Sequence, residues 1–213
     1  MRYWVIWVIM SKAAKNKYKA NKIRLIILEG ESDRHFFEEF KKKFHLRLLD
    51  IIKIGKNLNF RRIDREIEFS MKTLGYKEVW LVMDLKSQKI GTTNKNYSTS
   101  KEMMGDYKKN LKNLVNVDYV IMVQDLECWL LLYFPKTGRM NTETITNAEQ
   151  ELRREMQPNE STSKSISKVT TVRRLTRNID FWEKLRQNRS RNKSFNDFLE
   201  KVEKINSVFN RTT

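Results

Sequence analysis

The chain has 213 residues and a formal net charge of +17, because 43 lysines and arginines face only 26 aspartates and glutamates. Its 6 glycines and 2 prolines exclude collagen-like and linker-dominated chains, and a single cysteine excludes an intramolecular disulfide. Cys128 lies in an apolar run, which predicts a buried free thiol and fits a reducing compartment. Such an excess of positive charge predicts a polyanionic partner.

The amino-terminal residues 3–10 (YWVIWVIM) form an apolar run that five lysines follow. The run is too short for a transmembrane helix, and its charges come after it instead of before it, unlike those of a secretory signal. It predicts either an extra β-strand or sequence upstream of a start at Met10. No later segment reaches membrane length, so the sequence predicts a cytoplasmic, non-membrane protein with a basic extension at 1–22.

Short apolar runs alternate with longer amphipathic stretches from Ile23 onwards, which is typical of a βαβ series and a mainly parallel sheet. Four runs predict strands, at 23–28, 48–54, 79–83 and 117–123. Helices are predicted between them, at 32–44, 58–74 and 101–114, and Gly75 is the expected C-cap glycine of the second. Residues 23–134 therefore predict an α/β domain with a four-stranded, mainly parallel sheet flanked by helices.

Two further stretches depart from this alternation. Residues 86–100 (KSQKIGTTNKNYSTS) lack apolar periodicity and predict a long loop, which in compact domains is often functional. Residues 126–134 predict a short buried helix that Pro135 ends. The remaining residues, 135–213, are polar and basic and predict a helical C-terminal region with helices at 148–156, 165–177, 179–189 and 195–209.

Carboxylates follow three of the four predicted strands. Glu29 follows the first strand directly before Gly30, Asp84 follows the third, and Asp125 and Glu127 follow the fourth. Because ligands of open parallel sheets bind beyond the carboxyl ends of the strands, these acids are expected to converge. Oxygen ligands of this kind suit Mg2+ or Mn2+, and an acidic cluster in a basic chain is expected where a metal bridges protein and phosphate.

Most of the acids in these segments also have an explanation that needs no ligand. Ser32 is the expected N-cap of the first helix, which leaves Glu31 and Asp33 in its first turn, near the positive helix end. Asp125 is a candidate N-cap of the helix that follows it. Glu127 interrupts an apolar run, so a buried carboxylate there needs either a metal or a salt-bridge partner.

Other catalytic classes find little support in the sequence. His35 and His45 are the only histidines, which excludes zinc sites dominated by histidine. The glycines are scattered, and neither GxxxxGK[ST] nor GxGxxG occurs. This argues against ATPases, kinases and dinucleotide enzymes.

The segment 28–37 (LEGESDRHFF) resembles the first-strand motif of the Toprim superfamily, in which Glu-Gly is followed three residues later by Asp and then by aromatic residues. Residues 79–84 resemble the strand that carries the family's Asp-x-Asp. Residues 124–134 (QDLECWLLLYF) are similar to a Glu-x-Trp-Leu-Leu segment of standalone defence-associated Toprim-like proteins, the RloB-like group among them. Within the superfamily, the chain resembles these proteins and the overcoming-lysogeny-defect type. The resemblance covers residues 23–134.

The resemblance implies a Mg2+-dependent nuclease or phosphotransfer protein, with Glu29 as general acid/base or metal ligand and Asp84 as metal ligand. It also implies a role in defence or in a mobile element, with a partner protein or as a homo-oligomer. The family's Asp-x-Asp is Asp84-Leu85-Lys86 here, so a lysine replaces the second acid. Either Asp125 or Glu127 would supply the missing oxygen, or Lys86 would itself contact a phosphate.

Basic residues form the expected nucleic-acid surface. The cluster 172–177 (VRRLTR) is predicted to set Arg173, Arg174 and Arg177 along a phosphate backbone, with Lys86 and Lys89 in the loop after the third strand. The alternative is a solvated helix face. No helix-turn-helix, zinc-finger or RNA-binding signature predicts sequence-specific readout.

Three functional hypotheses follow. The first is a Toprim-type nuclease that acts on DNA or RNA. The second is a Toprim-like protein that binds or senses nucleic acid without cleaving it, as Lys86 would suggest. The third is a nucleic-acid packaging protein, which would need neither the acids nor a metal.

Overall fold

The structure, a computed structural model, describes residues 22–28, 30–54, 59–85, 88–90, 93–95, 97–123, 125–156 and 167–210, and only the backbone of 88–90, 93–95 and 206–210. It is an α/β fold built on a four-stranded, all-parallel sheet in the order β2-β1-β3-β6. Those strands are β1 (Ile23–Ile27), β2 (Leu49–Lys53), β3 (Glu78–Asp84) and β6 (Val117–Met122). The predicted fold class is confirmed.

The strand register brings the carboxyl ends of the strands to one edge of the sheet. Ile27 lies opposite both Lys53 and Val82, and Asp84 lies opposite Met122. Because β3 lies between β1 and β6, Asp84 at the end of β3 lies between the carboxyl ends of the other two strands that acids follow.

Eight α-helices are described, and most begin and end within three residues of the predicted bounds. They are α1 (Glu31–Lys43), α2 (Phe60–Glu68, extended by a π-turn over Phe69–Thr73), α3 (Ser100–Asn110), α4 (Leu126–Leu130), α5 (Ala148–Met156), α6 (Lys168–Thr176), α7 (Phe181–Gln187) and α8 (Lys193–Asn210). Gly75, two residues after the π-turn, has φ of 71°, as a C-cap glycine requires. None of the helices in the described ranges is long and apolar enough to cross a bilayer.

Two local predictions are wrong. Ser32 does not cap α1, because the helix begins one residue earlier, at Glu31, and the capping position belongs to Gly30, which offers no side chain. The predicted loop 86–100 contains an antiparallel hairpin of β4 (Gln88–Ile90) and β5 (Thr93–Lys95). Its polar residues carry no apolar alternation, so the sequence pattern did not indicate strands.

The sheet buries a hydrophobic cluster on each face, since successive side chains along a strand point to opposite sides. Leu25 and Ile27 face the larger cluster, which α1 and the C-terminal helices cover. Ile26 and Leu28 face the smaller one, which α2 and α3 cover. Both faces are therefore closed, as is usual for parallel sheets.

The C-terminal helices share the larger core with the sheet. Phe181 of α7 and Phe198 of α8 are buried in the same cluster as strand residues, and the Phe198 ring lies 5.3 Å from that of Phe37 in α1. A buried polar network adds to this contact: Trp129 Nε1 donates to Ser194 Oγ at 2.9 Å, which donates to Asn192 Oδ1 at 2.8 Å. Residues after Pro135 thus fix the helix that carries Glu127.

The outer edge of β6 is covered by α8. Asn116 and Met122 direct their carbonyl groups at β3, so the alternate residues Tyr119, Ile121 and Val123 direct their peptide groups outwards. Lys201 Nζ donates to the Tyr119 carbonyl at 2.9 Å, and Val123 N donates to Ser194 Oγ at 3.4 Å. Two of these outward peptide groups are thereby bonded to α8.

Candidate functional site

The turn from β1 into α1 holds Asp33 against the backbone. Gly30 has φ of 70°, a conformation that glycine adopts without strain. The Asp33 side chain folds back over it so closely that a Cβ on Gly30 would lie 2.0 Å from Asp33 Oδ2. Asp33 is consequently buried, with 6% of its surface exposed. This aspartate does lie in the first turn of α1, but a favourable position near the helix dipole does not account for its burial.

The turn from β6 into α4 brings a second and a third carboxylate to the same region. Asp125 Oδ1 accepts a hydrogen bond from Cys128 N at 3.3 Å, so the predicted N-cap role is confirmed. Glu127 lies in the first turn of α4 and is only 5% exposed. Cys128 is the buried free thiol that the sequence predicts, and burial raises the pKa of its thiol, as does the neighbouring Asp125.

The partner of Glu127 comes from the C-terminal region. Lys168 Nζ lies 2.8 Å from Glu127 Oε1 and 3.5 Å from Glu149 Oε2 of α5. Lys168 is the first residue of α6, which packs against α1. The sequence predicted that a buried Glu127 needs a metal or a salt-bridge partner, and the structure supplies an ammonium group.

The three acids and the lysine interact electrostatically, and we call them the acid cluster (Asp33, Asp125, Glu127 and Lys168). Burial, followed by the negative charge of Glu127, raises the pKa of Asp33 to about 7 and that of Asp125 to about 6. Burial by itself would lower the pKa of the Lys168 ammonium, but the hydrogen bond and charge of Glu127 outweigh it and raise that pKa. Near pH 7 the carboxyl groups of the cluster are therefore partly protonated, beside a lysine cation.

The predicted site residues are only partly described. Asp125 and Glu127 belong to one cluster, and Asp84 is partly buried at the end of the intervening strand. Glu29 and Lys86 lie outside the described residues, and of Lys89 only the backbone is described. Arg173, Arg174 and Arg177 are exposed on and just after α6.

The side chains of the cluster are of the type that binds a divalent ion, but they are not close enough together to hold one. Asp33, Asp125 and Glu127 offer only hard oxygen donors, which Mg2+ prefers. Among the side chains that the structure describes, however, no three acids, histidines or cysteines are grouped to hold a metal ion. Glu29, a further predicted ligand, lies outside the described residues.

Asp33 should make the fold less stable as the pH rises, which is the opposite of the usual effect of an aspartate. Its carboxyl group ionises near pH 7 in the fold but near its ordinary value of 3.8 in the unfolded chain, so the fold binds more protons between these values. We expect the stability of the wild type relative to Asp33→Asn to fall by about 3 kcal/mol as the pH rises from about 4 to about 7. Urea unfolding of both proteins across this range measures the difference.

The matched control for this measurement is Asp197→Asn, because Asp197 is an exposed acid that pairs with Lys193 on the surface of α8. Relative to this variant the wild type should show no such fall. A relative stability that rises with pH at Asp33 would contradict the raised pKa.

Comparison of the chain with protein-family models, with curated proteins and with solved structures finds no match in any of the three. The function is therefore inferred from the acid cluster, its place in the sheet and the positive charge of the chain.

Proposed function

We propose that the chain is a metal-dependent nuclease of Toprim type that acts on DNA or RNA. The observation that carries the proposal is the meeting of buried carboxylates from the turns after β1 and β6, on either side of the strand that Asp84 ends. Such a position beyond the carboxyl ends of parallel strands is where this class of sheet binds ligands. The chain's net charge of +17 suits a phosphate polymer as its partner.

The roles of the residues follow from their surroundings. Asp84, Asp125 and Glu127, together with Glu29, would hold Mg2+ or Mn2+. When bound, the metal would stabilise the negative charge that develops on a scissile phosphate. Glu29 is the proposed general base or acid. Asp33, whose pKa of about 7 keeps a proton available at neutral pH, is a second group in the cluster able to give or take one.

A protein that binds nucleic acid without cleaving it is the second candidate, and the Lys168–Glu127 ion pair favours it. The ammonium group lies 2.8 Å from an acid that the nuclease needs as a metal ligand. A lysine also replaces the second acid of the Asp-x-Asp, at Lys86. In this candidate the acid cluster would have a structural role, and Lys168 would neutralise its negative charge.

Cleavage of labelled oligonucleotides separates the two candidates. The purified chain is incubated with single- and double-stranded DNA and RNA in Mg2+, in Mn2+ and in a chelator. The nuclease predicts cleavage that needs a metal, and a rate at least about a hundredfold lower in Asp84→Asn and in Glu127→Gln, because each variant loses a carboxylate that would hold the metal.

Glu68→Gln is the matched control, since Glu68 is an exposed acid that pairs with Lys72 one turn away on α2. It should cleave like the wild type. A wild type that cleaves with neither metal, or acid variants that cleave as fast as the control, would contradict the nuclease. Binding without cleavage would instead favour the second candidate.

A further inference from the structure

The exposed arginines of α6 lie in a stretch of the chain that contains no acidic residue. No Asp or Glu occurs between Glu160 and Asp180 in the sequence. Several exposed bases on other helices do pair with an acid one turn away, as Arg153 does with Glu149 at 2.6 Å and Lys193 with Asp197 at 2.6 Å. Within the described part of the chain, Arg173, Arg174 and Arg177 form no ion pair.

The three arginines share one side of α6. At roughly 100° per residue, Arg173, Arg174 and Arg177 fall within about 100° of one another around the helix axis. Val172 and Leu175, which are 1% and 2% exposed, lie on the opposite side. We call the arginine side the arginine face (Arg173, Arg174 and Arg177).

The arginine face points away from the acid cluster. Lys168, itself half exposed, lies on the same side of α6 as the buried Val172 and Leu175, and its ammonium group reaches Glu127 from that side. The helix itself, about 10 Å across, therefore stands between the arginines and the acids. A phosphate on the arginine face would not lie at the acid cluster.

We propose that the arginine face is a docking surface for the phosphate backbone of a nucleic acid, separate from the acid cluster. Arg173 and Arg177 are about 6 Å apart along the helix axis, which is less than two nucleotide steps of one strand. Each guanidinium group can bind a phosphate through two parallel hydrogen bonds. The inference rests on the proposed function for the nature of the partner, but not for cleavage.

The structure favours nucleic acid over a membrane as the partner. A helix that binds a bilayer surface buries an apolar face in the lipid, but Val172 and Leu175 of α6 are already buried in the protein core. Ile179, 94% exposed just beyond the helix, is a single apolar side chain and offers little area for insertion. The arginine face thus presents charge alone, which suits a polymer of phosphates.

Binding of a fluorescent oligonucleotide in the presence of a chelator tests the inference. We expect Arg173→Gln/Arg174→Gln to weaken binding about tenfold, and the slope of log affinity against log salt to become shallower by about 2, since two phosphate contacts are lost. The matched control is Arg153→Gln/Arg154→Gln, which removes the same charge from a neighbouring Arg-Arg pair whose acids lie on the same helix. The control should bind within about twofold of the wild type.

An equal loss of affinity in both double variants would overturn the inference, because net charge would then explain binding. So would unchanged binding in Arg173→Gln/Arg174→Gln, or tighter binding to phosphatidylserine vesicles than to the oligonucleotide. Binding that depends on the arginines, without cleavage, would support the docking surface and contradict the nuclease. Cleavage, with binding that does not depend on the arginines, would support the nuclease and contradict the docking surface.

Discussion

Replacement of Gly30 by alanine is expected to lower the free energy of unfolding by about 3 kcal/mol. A left-handed residue other than glycine costs about 1 to 2 kcal/mol, and Gly30 has φ of 70°. The added Cβ would also lie 2.0 Å from Asp33 Oδ2, so a buried carboxylate must move. Urea unfolding at constant pH measures the change.

Gly75→Ala separates the two causes. Gly75 has nearly the same φ, 71°, but a Cβ there would meet nothing within 4 Å. It should cost only the backbone strain, about 1 kcal/mol. The double variant Gly30→Ala/Asp33→Ala should lose less stability than the two single variants together, because the clash is then absent. Equal losses at Gly30 and Gly75 would contradict the close approach of Asp33.

Lys168→Met is expected to destabilise the fold by about 2 kcal/mol at about pH 8. It leaves Glu127 buried beside Asp33 and Asp125 without a compensating charge, and loss of one partner of a buried pair is costly. The loss is smaller than for a fully buried pair because the Lys168 side chain is 51% exposed, so water already screens it. The loss of stability in Lys168→Met should be smaller in acid, where the carboxylates are protonated.

Glu127→Gln is the companion variant for this pair. It removes a buried charge and leaves a lysine that water can solvate, so its cost should be smaller than that of Lys168→Met. Combining the two substitutions should recover part of the stability lost in Lys168→Met. A Lys168→Met protein as stable as the wild type would show that the ion pair is not needed to neutralise Glu127.

The strands and the sheet could be predicted because their signal is local. Short apolar runs rich in β-branched residues, such as 79–83, favour a buried strand, and helical stretches between such runs favour parallel connections. The same reasoning placed Asp125 and Glu127 together, since both follow one strand. It also stated what a buried Glu127 requires, although it could not say whether a metal or a base would meet that need.

The remaining features of the acid cluster depend on contacts that no local pattern reveals. Lys168 is one of 43 basic residues, and nothing in its sequence neighbourhood marks it as the partner of Glu127. The burial of Asp33 follows from the positive φ of Gly30, which turns the chain so that the carboxylate lies over the backbone. Which side of α6 carries Lys168 became clear only from its packing. The roles of Glu29, Asp84 and Lys86 stay predictions.

The bonds from α8 to the outer edge of β6 bear on how copies of the chain meet one another. An exposed edge strand is a template on which a second sheet can grow, and proteins avoid this aggregation by covering the edge or placing lysine there. Here Lys201 and Ser194 occupy the outward Tyr119 carbonyl and Val123 amide. A strand from another molecule would have to displace both, so this edge resists intermolecular sheet growth.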